Sequence, residues 1–169
     1  IPKRDWSSDV CSSDLTARWT FHPCSEKASW QRYQHGLGVG DVNGDGRPDL
    51  LMAEGWWEHP PPGQDPATPW RKHPHAFGRE GVQMHVRDVD GDGDGDVITT
   101  VAAHAYGVSW FEQTTRDGRP AFVERPILPA RAEESLAGVQ FSQPHAIAVV
   151  DIDGDGLDDV VTGKRFWAH

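Results

Sequence analysis

Asp41-Val-Asn-Gly-Asp-Gly-Arg-Pro-Asp49 is the first of three nine-residue acidic segments that share one pattern and decide the fold. The second is Asp88-Val-Asp-Gly-Asp-Gly-Asp-Gly-Asp96, and the third is Asp151-Ile-Asp-Gly-Asp-Gly-Leu-Asp-Asp159. Each carries oxygen ligands at positions 1, 3, 5 and 9 and a glycine at position 6, where the chain must turn sharply. Carboxylates this close repel one another unless a cation lies among them, and hard oxygen ligands suit Ca²⁺. The pattern therefore predicts three calcium loops in three copies of one unit.

The residues after each segment exclude an EF-hand. An EF-hand needs a bidentate Glu at position 12 and a helix on each side, whereas position 12 here is Met52, Thr99 and Thr162. Apolar, largely β-branched residues follow the second and third segments and favour strands. Each loop is therefore predicted to join two strands of a hairpin.

An alternating pattern before each loop predicts the first strand of that hairpin. Gly36, Gly38 and Gly40 form the opposite face in the first copy, and small residues there permit close approach of a neighbouring sheet. The alternating triplets are His35, Leu37 and Val39; Val82, Met84 and Val86; and His145, Ile147 and Val149.

The spacing of the loops predicts a repeat architecture. Their first residues lie at 41, 88 and 151, so the spacings are 47 and 63 residues, which is typical of solenoids and propellers. An aromatic third strand is predicted at 56–59, 110–113 and 166–169, and a fourth at 70–76 and 121–127. Four strands per unit indicate an all-β β-propeller fragment with two full blades and part of a third.

These loops and their flanking strands resemble the FG-GAP, or VCBS, repeat family of calcium-loop β-propellers, over about residues 17–169. The resemblance implies Ca²⁺ in the loop between the first two strands of each blade, and a propeller domain over residues 16–169. It also implies further blades of the same full-length chain as partners. The implied side-chain ligands are Asp41, Asn43, Asp45, Asp49, Asp88, Asp90, Asp92, Asp96, Asp151, Asp153, Asp155 and Asp159, joined by the main-chain carbonyls of Arg47, Asp94 and Leu157.

Composition and charge argue against nucleic-acid-binding and membrane-spanning proteins. The net charge of −10 argues against nucleic-acid binding, and no run of about 20 apolar residues predicts a membrane span. Residues 5–15 resemble a translated sequencing adapter, so residues 1–15 are interpreted as non-native, and Cys24 is left without a disulfide partner. The family resemblance and weak open loops suited to millimolar Ca²⁺ indicate an extracellular or periplasmic protein.

A candidate site is predicted on the face opposite the acidic loops. Insertions around residues 102–108 and within 129–143 fall on that face, and one-sided insertions often mark a binding face. His35, His104 and His145 are the candidate catalytic residues, with Tyr106 and Gln143 nearby. His85 has the opposite parity in its strand, which argues against a four-histidine site. The alternative is that His35 and His145 simply pack between blades, because Val82 occupies their position in the second copy.

Two functions follow from these observations. The first is a calcium-binding propeller module that acts as a binding or scaffold domain of a secreted protein, with a carbohydrate or protein ligand opposite the calcium loops. The second is enzymatic, because His35-Gly-Leu-Gly-Val-Gly-Asp41 and Gly55-Trp-Trp-Glu58 are similar to the propeller part of aldos-2-ulose dehydratase, a sugar lyase. Under this lyase hypothesis, the three histidines would act as acid and base or hold a catalytic metal.

Overall fold

Strands dominate the architecture. The computed structural model describes residues 21–26, 35–65, 67–135 and 138–165, and the predicted adapter segment 1–15 lies outside them. No α-helix occurs in these described ranges, and none of their helical segments is long and apolar enough to cross a membrane. The strands are β1 (Leu37–Gly40), β2 (Asp49–Met52), β3 (Gly55–Glu58), β4 (Arg71–Pro74), β5 (Gln83–Arg87), β6 (Asp96–Thr100), β7 (Val108–Arg116), β8 (Arg119–Leu128), β9 (Pro144–Val150) and β10 (Asp159–Lys164), with a 3-10 turn at Ala132–Glu134.

The strands form antiparallel units in chain order. β1 to β4 make blade one, β5 to β8 make blade two, and β9 with β10 begins blade three. Every acidic loop joins the first and second strands of its blade, as predicted. The predicted third and fourth strands are present in blades one and two, whereas the predicted strand at 166–169 lies outside the described residues. The chain is an all-β protein built of β-propeller blades.

Glycines bring the first two blades into direct contact. β1 and β5 pair in parallel with Gly38 opposite Met84, which joins the two blades into one eight-stranded sheet. A Cβ atom added at Gly38 would lie 2.6 Å from both the Cβ and the carbonyl oxygen of Met84. The close approach predicted for this glycine face therefore takes the form of backbone pairing between blades.

Polar side chains join the second blade to the third. Gln83, His85 and Arg87 occupy the positions that hold Gly36, Gly38 and Gly40 in the first blade. The amide of Ile147 donates to Gln83 Oε1 at 2.9 Å, and His85 Nε2 donates to the carbonyl of Ile147 at 3.0 Å. Arg87 Nε lies 3.1 Å from a carboxylate oxygen of Asp158. Side chains rather than paired strands therefore make most of the polar contacts described at this junction.

The hydrophobic core lies between blades. One cluster fills the space between blades one and two, and partly buried Trp110 packs against a second cluster between blades two and three. The tryptophans Trp56 and Trp110 thus contribute to packing between blades. The buried members are Val42, Leu51, Trp56, Phe77, Met84, Val97 and Phe111 in the first cluster, and Ile98, Val108, Leu128, Ile147 and Val149 in the second.

Candidate functional site

The first aspartate organises each acidic loop by accepting main-chain hydrogen bonds. The amide of the position-6 glycine donates to Asp41 at 2.7 Å, to Asp88 at 3.1 Å and to Asp151 at 2.9 Å. That glycine has φ between 82° and 94° in the three loops, a left-handed conformation that glycine adopts without strain. The three sequences therefore fold into the same loop for the same local reason.

The side chains at positions 3 and 5 also cap amides two residues further on. Asn43 accepts from the position-5 amide at 3.2 Å, as Asp90 does at 3.2 Å. Asp153 makes the equivalent bond at 3.1 Å. Position 5 repeats this bond to the amide of position 7 in all three loops, at 2.9, 3.0 and 2.8 Å. Each carboxylate keeps further lone pairs, because one hydrogen bond does not exhaust its acceptor capacity.

Position 9 has a second role that sequence reasoning missed. Asp49 and Asp96 are fully buried, and each accepts the amide of loop position 2 on one oxygen, at 2.9 and 3.0 Å. The other oxygen accepts the amide of His59 at 2.8 Å in blade one and of Gln113 at 2.6 Å in blade two. Position 9 therefore fastens the loop to the third strand of its own blade.

Acidic oxygens converge in the second and third loops. Asp88, Asp90 and Asp96 can each offer an oxygen within 4.8 Å of the others, and the third loop offers the equivalent set Asp151, Asp153 and Asp159. These groups could hold a metal ion, and their carboxylate oxygens fit calcium. Burial raises the pKa of Asp94, and the neighbouring charges of Asp92 and Asp96 act in the same direction.

The first loop differs in its charge. Asn43 stands in place of an acid at position 3, and Asp45 forms an ion pair with the guanidinium of Arg47. The Nε atom of Arg47 also donates to the carbonyl of His59 at 3.2 Å. Burial raises the pKa of Asp49, against the effect of its two amide donors. The three loops share a backbone frame, but the first has fewer uncompensated charges. The carbonyl ligands predicted at Arg47, Asp94 and Leu157 stay predictions.

Three histidines converge at the opposite ends of the strands. His35 precedes β1, His104 lies in the loop between β6 and β7, and His145 lies on β9. Their ring centroids are 5.1 Å apart for His35 and His104, 5.3 Å for His35 and His145, and 4.9 Å for His104 and His145. The structure thus brings together the three histidines singled out in the sequence, each from a different blade, and we name them the histidine cluster.

Glu80 borders the histidine cluster and was missed by sequence reasoning. Its Oε2 atom lies 3.0 Å from Nδ1 of His104, and this hydrogen bond lowers the pKa of Glu80. The carbonyl of Glu80 accepts the amide of Ala103 at 2.8 Å, so the acid and the histidine loop are tied through the backbone as well. Gln143 occupies the position equivalent to Glu80, eight residues before a loop. Its main-chain amide donates to the carbonyl of Ala105 at 2.6 Å.

Two further residues named from the sequence are Tyr106 and His85. Tyr106 is in the same loop as His104, and its side chain is exposed. His85 lies at the junction of blades two and three, where its Nε2 donates to the carbonyl of Ile147. This agrees with its place on the opposite face of its strand from the one that corresponds to His35 and His145. The protein therefore has acidic loops at one end of its blades and a histidine cluster at the other.

Comparison with known protein families identifies the family of these repeats. The FG-GAP repeat profile matches residues 35–58, and the FG-GAP-like repeat profile matches residues 88–162. No curated protein and no solved structure matches the chain. Together the two family matches cover more than half of the chain and include all three acidic loops. The chain belongs to the FG-GAP repeat family.

Proposed function

We propose that the three acidic loops bind Ca²⁺ and that the chain is a calcium-stabilised propeller module with a binding or scaffold role. The observation that carries this proposal is the hydrogen-bonded frame repeated in all three loops. In the second and third loops this frame holds carboxylates together at positions 1, 3 and 9. Such a concentration of negative charge is unfavourable without a cation, and calcium accepts many oxygen ligands in a flexible geometry. Calcium would serve here as a structural ion.

Weak sites of this type suit a secreted protein. Open loops in extracellular modules bind Ca²⁺ with dissociation constants of about 10⁻⁴–10⁻³ M, which the calcium outside cells is sufficient to fill. We therefore propose an extracellular or periplasmic location. The ligand of the module, a carbohydrate or a protein, would lie on the face opposite the loops.

An exposed apolar face of blade one supports a further blade as its partner. Leu37 and Val39 are 61% and 59% exposed. Met84 and Ile147, the equivalents of Leu37, are each 3% exposed, and Val149, an equivalent of Val39, is 8% exposed, because they pack on the preceding blade. Equivalent strands of a repeat array bury equivalent faces. We propose that another blade of the full-length protein covers Leu37 and Val39 in the same way.

Calcium is expected to raise the melting temperature of the chain. At free Ca²⁺ ten times the dissociation constant, binding to the native state alone stabilises it by about 1.4 kcal/mol for each occupied loop. Thermal melting in calcium and in chelator measures the difference. An identical midpoint in both conditions would contradict the proposal.

A matched pair of variants tests whether the second loop binds calcium. Asp92→Asn removes one proposed ligand charge and is expected to reduce the number of calcium ions bound by isothermal titration. Asp117→Asn removes a carboxylate from the turn between β7 and β8 and serves as the control. Asp117 has φ 52°, a conformation that asparagine tolerates well, so this control preserves the turn. Equal calcium binding by the two variants would mean that the charge of Asp92 does not contribute to calcium binding.

The histidine cluster favours a second candidate function, a sugar lyase. Elimination of water from a sugar needs one group to take a proton from carbon and another to protonate the departing hydroxyl. Imidazoles perform both roles near neutral pH, and three of them lie together here. In the full-length protein, His104→Ala is then expected to reduce turnover of a keto-sugar by roughly 10² or more. Unchanged turnover, together with intact calcium-dependent melting, would exclude the lyase function.

A further inference from the structure

Buried oxygen atoms lie behind the second acidic loop, where the side chain at loop position 7 meets the third strand of the blade. Asp94 Oδ1 and Gln113 Oε1 are both buried, and neither has a hydrogen-bond partner among the described residues. Gln113 as a whole is only 7% exposed. A buried acceptor without a donor is unfavourable, and both of these atoms accept hydrogen bonds. The pair therefore calls for a donor or a cation that the described residues do not supply.

We propose that Asp92, Asp94 and Gln113 bind a second Ca²⁺ ion behind the ion of the second loop, and we name these three residues the inner site. The loop ion itself would lie among the oxygens that converge at positions 1, 3 and 9. Carboxylate and amide oxygens are both ligands that Ca²⁺ accepts. The inference deepens the proposed calcium role of the acidic loops and rests on it.

Contacts within the inner site bring its side chains together. The side-chain amide of Gln113 hydrogen-bonds the Asp94 carboxylate, and the carboxylates of Asp92 and Asp94 also lie within hydrogen-bonding range. Backbone bonds hold both sides of the site, because the Asp94 amide donates to Asp92 Oδ1 at 3.0 Å and the Gln113 amide donates to Asp96 at 2.6 Å. Two carboxylates at this range repel each other unless a proton or a cation lies between them. The site therefore combines like charges with an amide that can offer a neutral oxygen.

A turn of the Gln113 amide offers its oxygen to the ion. The amide nitrogen and oxygen exchange places on rotation about χ3, a torsion that is broad in proteins. The oxygen then takes the place of the nitrogen beside Asp94, at about 3 Å from its carboxylate. Two oxygens at that separation can share one Ca²⁺ ion, which binds its ligands at about 2.3–2.6 Å. Because Oε1 has no described partner in its present position, the turn gives up only the bond to Asp94.

Charge and sequence distinguish the second loop from the other two. The first loop has three aspartates and one arginine, so its charge of −2 is balanced by one Ca²⁺ ion. The second loop has five aspartates and no basic residue, so one Ca²⁺ ion leaves a charge of −3 and a second ion leaves −1. Position 7 is Arg47 in the first loop and Leu157 in the third, and neither side chain carries an anionic oxygen. The inner site is thus specific to the second loop.

Calcium binding at equilibrium counts the ions. In dialysis of the intact chain against radioactive calcium, Asp94→Leu should bind one ion fewer than the parent at saturation. Leucine is the residue that the third loop carries at this position, so the change suits the fold of the loop. Gln113→Glu replaces a neutral ligand by a charged one and should tighten the binding of the inner ion by about tenfold or more. Gln64→Glu adds the same charge at an exposed glutamine of blade one and should change neither quantity.

Two results would overturn the inner site while leaving the loop sites in place. One is an equal number of bound ions in the parent and in Asp94→Leu, with calcium-dependent melting retained in both. The other is unchanged or weaker calcium binding by Gln113→Glu. That result is expected if only water fills the space, because the new carboxylate then repels Asp92 and Asp94. Binding of no calcium by the parent would instead overturn the proposed calcium role and the inner site together. Circular dichroism checks that each variant is folded.

Discussion

Asp96→Ala is expected to lower the free energy of unfolding by about 2–6 kcal/mol in the presence of chelator, because two main-chain donors lose their shared acceptor. The carboxylate of Asp96 is fully buried and accepts the amide of Val89 at 3.0 Å and that of Gln113 at 2.6 Å. An unsatisfied buried donor costs about 1–3 kcal/mol, and water cannot readily reach these two. Urea denaturation in chelator measures this cost apart from any metal contribution.

Asp92→Ala is the matched control in the same loop. Asp92 is exposed, and its carboxylate accepts the main-chain amide of Asp94 within the loop at 3.0 Å. In chelator it should therefore destabilise much less than Asp96→Ala, whereas both changes should weaken calcium binding. Equal destabilisation by the two would mean that position 9 does not fasten the loop to the third strand.

Gly38→Ala is expected to separate β1 from β5 and to destabilise the chain by about 1–3 kcal/mol or more. The new methyl group would lie 2.6 Å from the Met84 carbonyl oxygen, a main-chain atom that cannot turn aside as a flexible side chain can. The added group can be accommodated only if the two strands move apart, which breaks their parallel pairing and loosens the core beneath it. Equilibrium denaturation gives the loss in stability.

Gly163→Ala provides the control for this substitution. Gly163 lies on β10, and a Cβ atom added there meets nothing within 4 Å. Changes away from structural features usually stay within about 0.5 kcal/mol, so this variant should resemble the parent. If Gly38→Ala is equally harmless, the parallel contact between the first two blades is not the close junction described above.

Local chemistry explains which parts of this protein could be predicted. The turn at each acidic loop depends on glycine at fixed positions and on aspartates that cap nearby amides, so a nine-residue window contains the whole cause. The convergence of His35 and His145 could be predicted for a similar reason. Both lie six residues before a loop, and equivalent positions of a repeat lie at the same end of their blades.

Contacts between distant segments account for what the sequence did not reveal. Asp96 reaches an amide 17 residues away, Glu80 reaches His104 across 24 residues, and His85 reaches Ile147 across 62 residues. No periodicity marks these partners, because each contact occurs in only one or two copies of the repeat. Position 9 could be predicted as a metal ligand from its side chain alone, but its second role required the position of the third strand.

The two blade junctions give the array unequal mechanical properties. The glycine junction resists shear along the strands, since sliding β1 past β5 must break backbone pairing and disturb a tightly packed apolar layer. The other junction also has an apolar cluster but no paired strands among the described residues, and its polar contacts come from Gln83, His85 and Arg87, whose long side chains can bend and exchange their partners for water. Repeat arrays open at their weakest interface. Blades one and two should thus move as a rigid body, with the side-chain junction as the hinge about which the third blade turns.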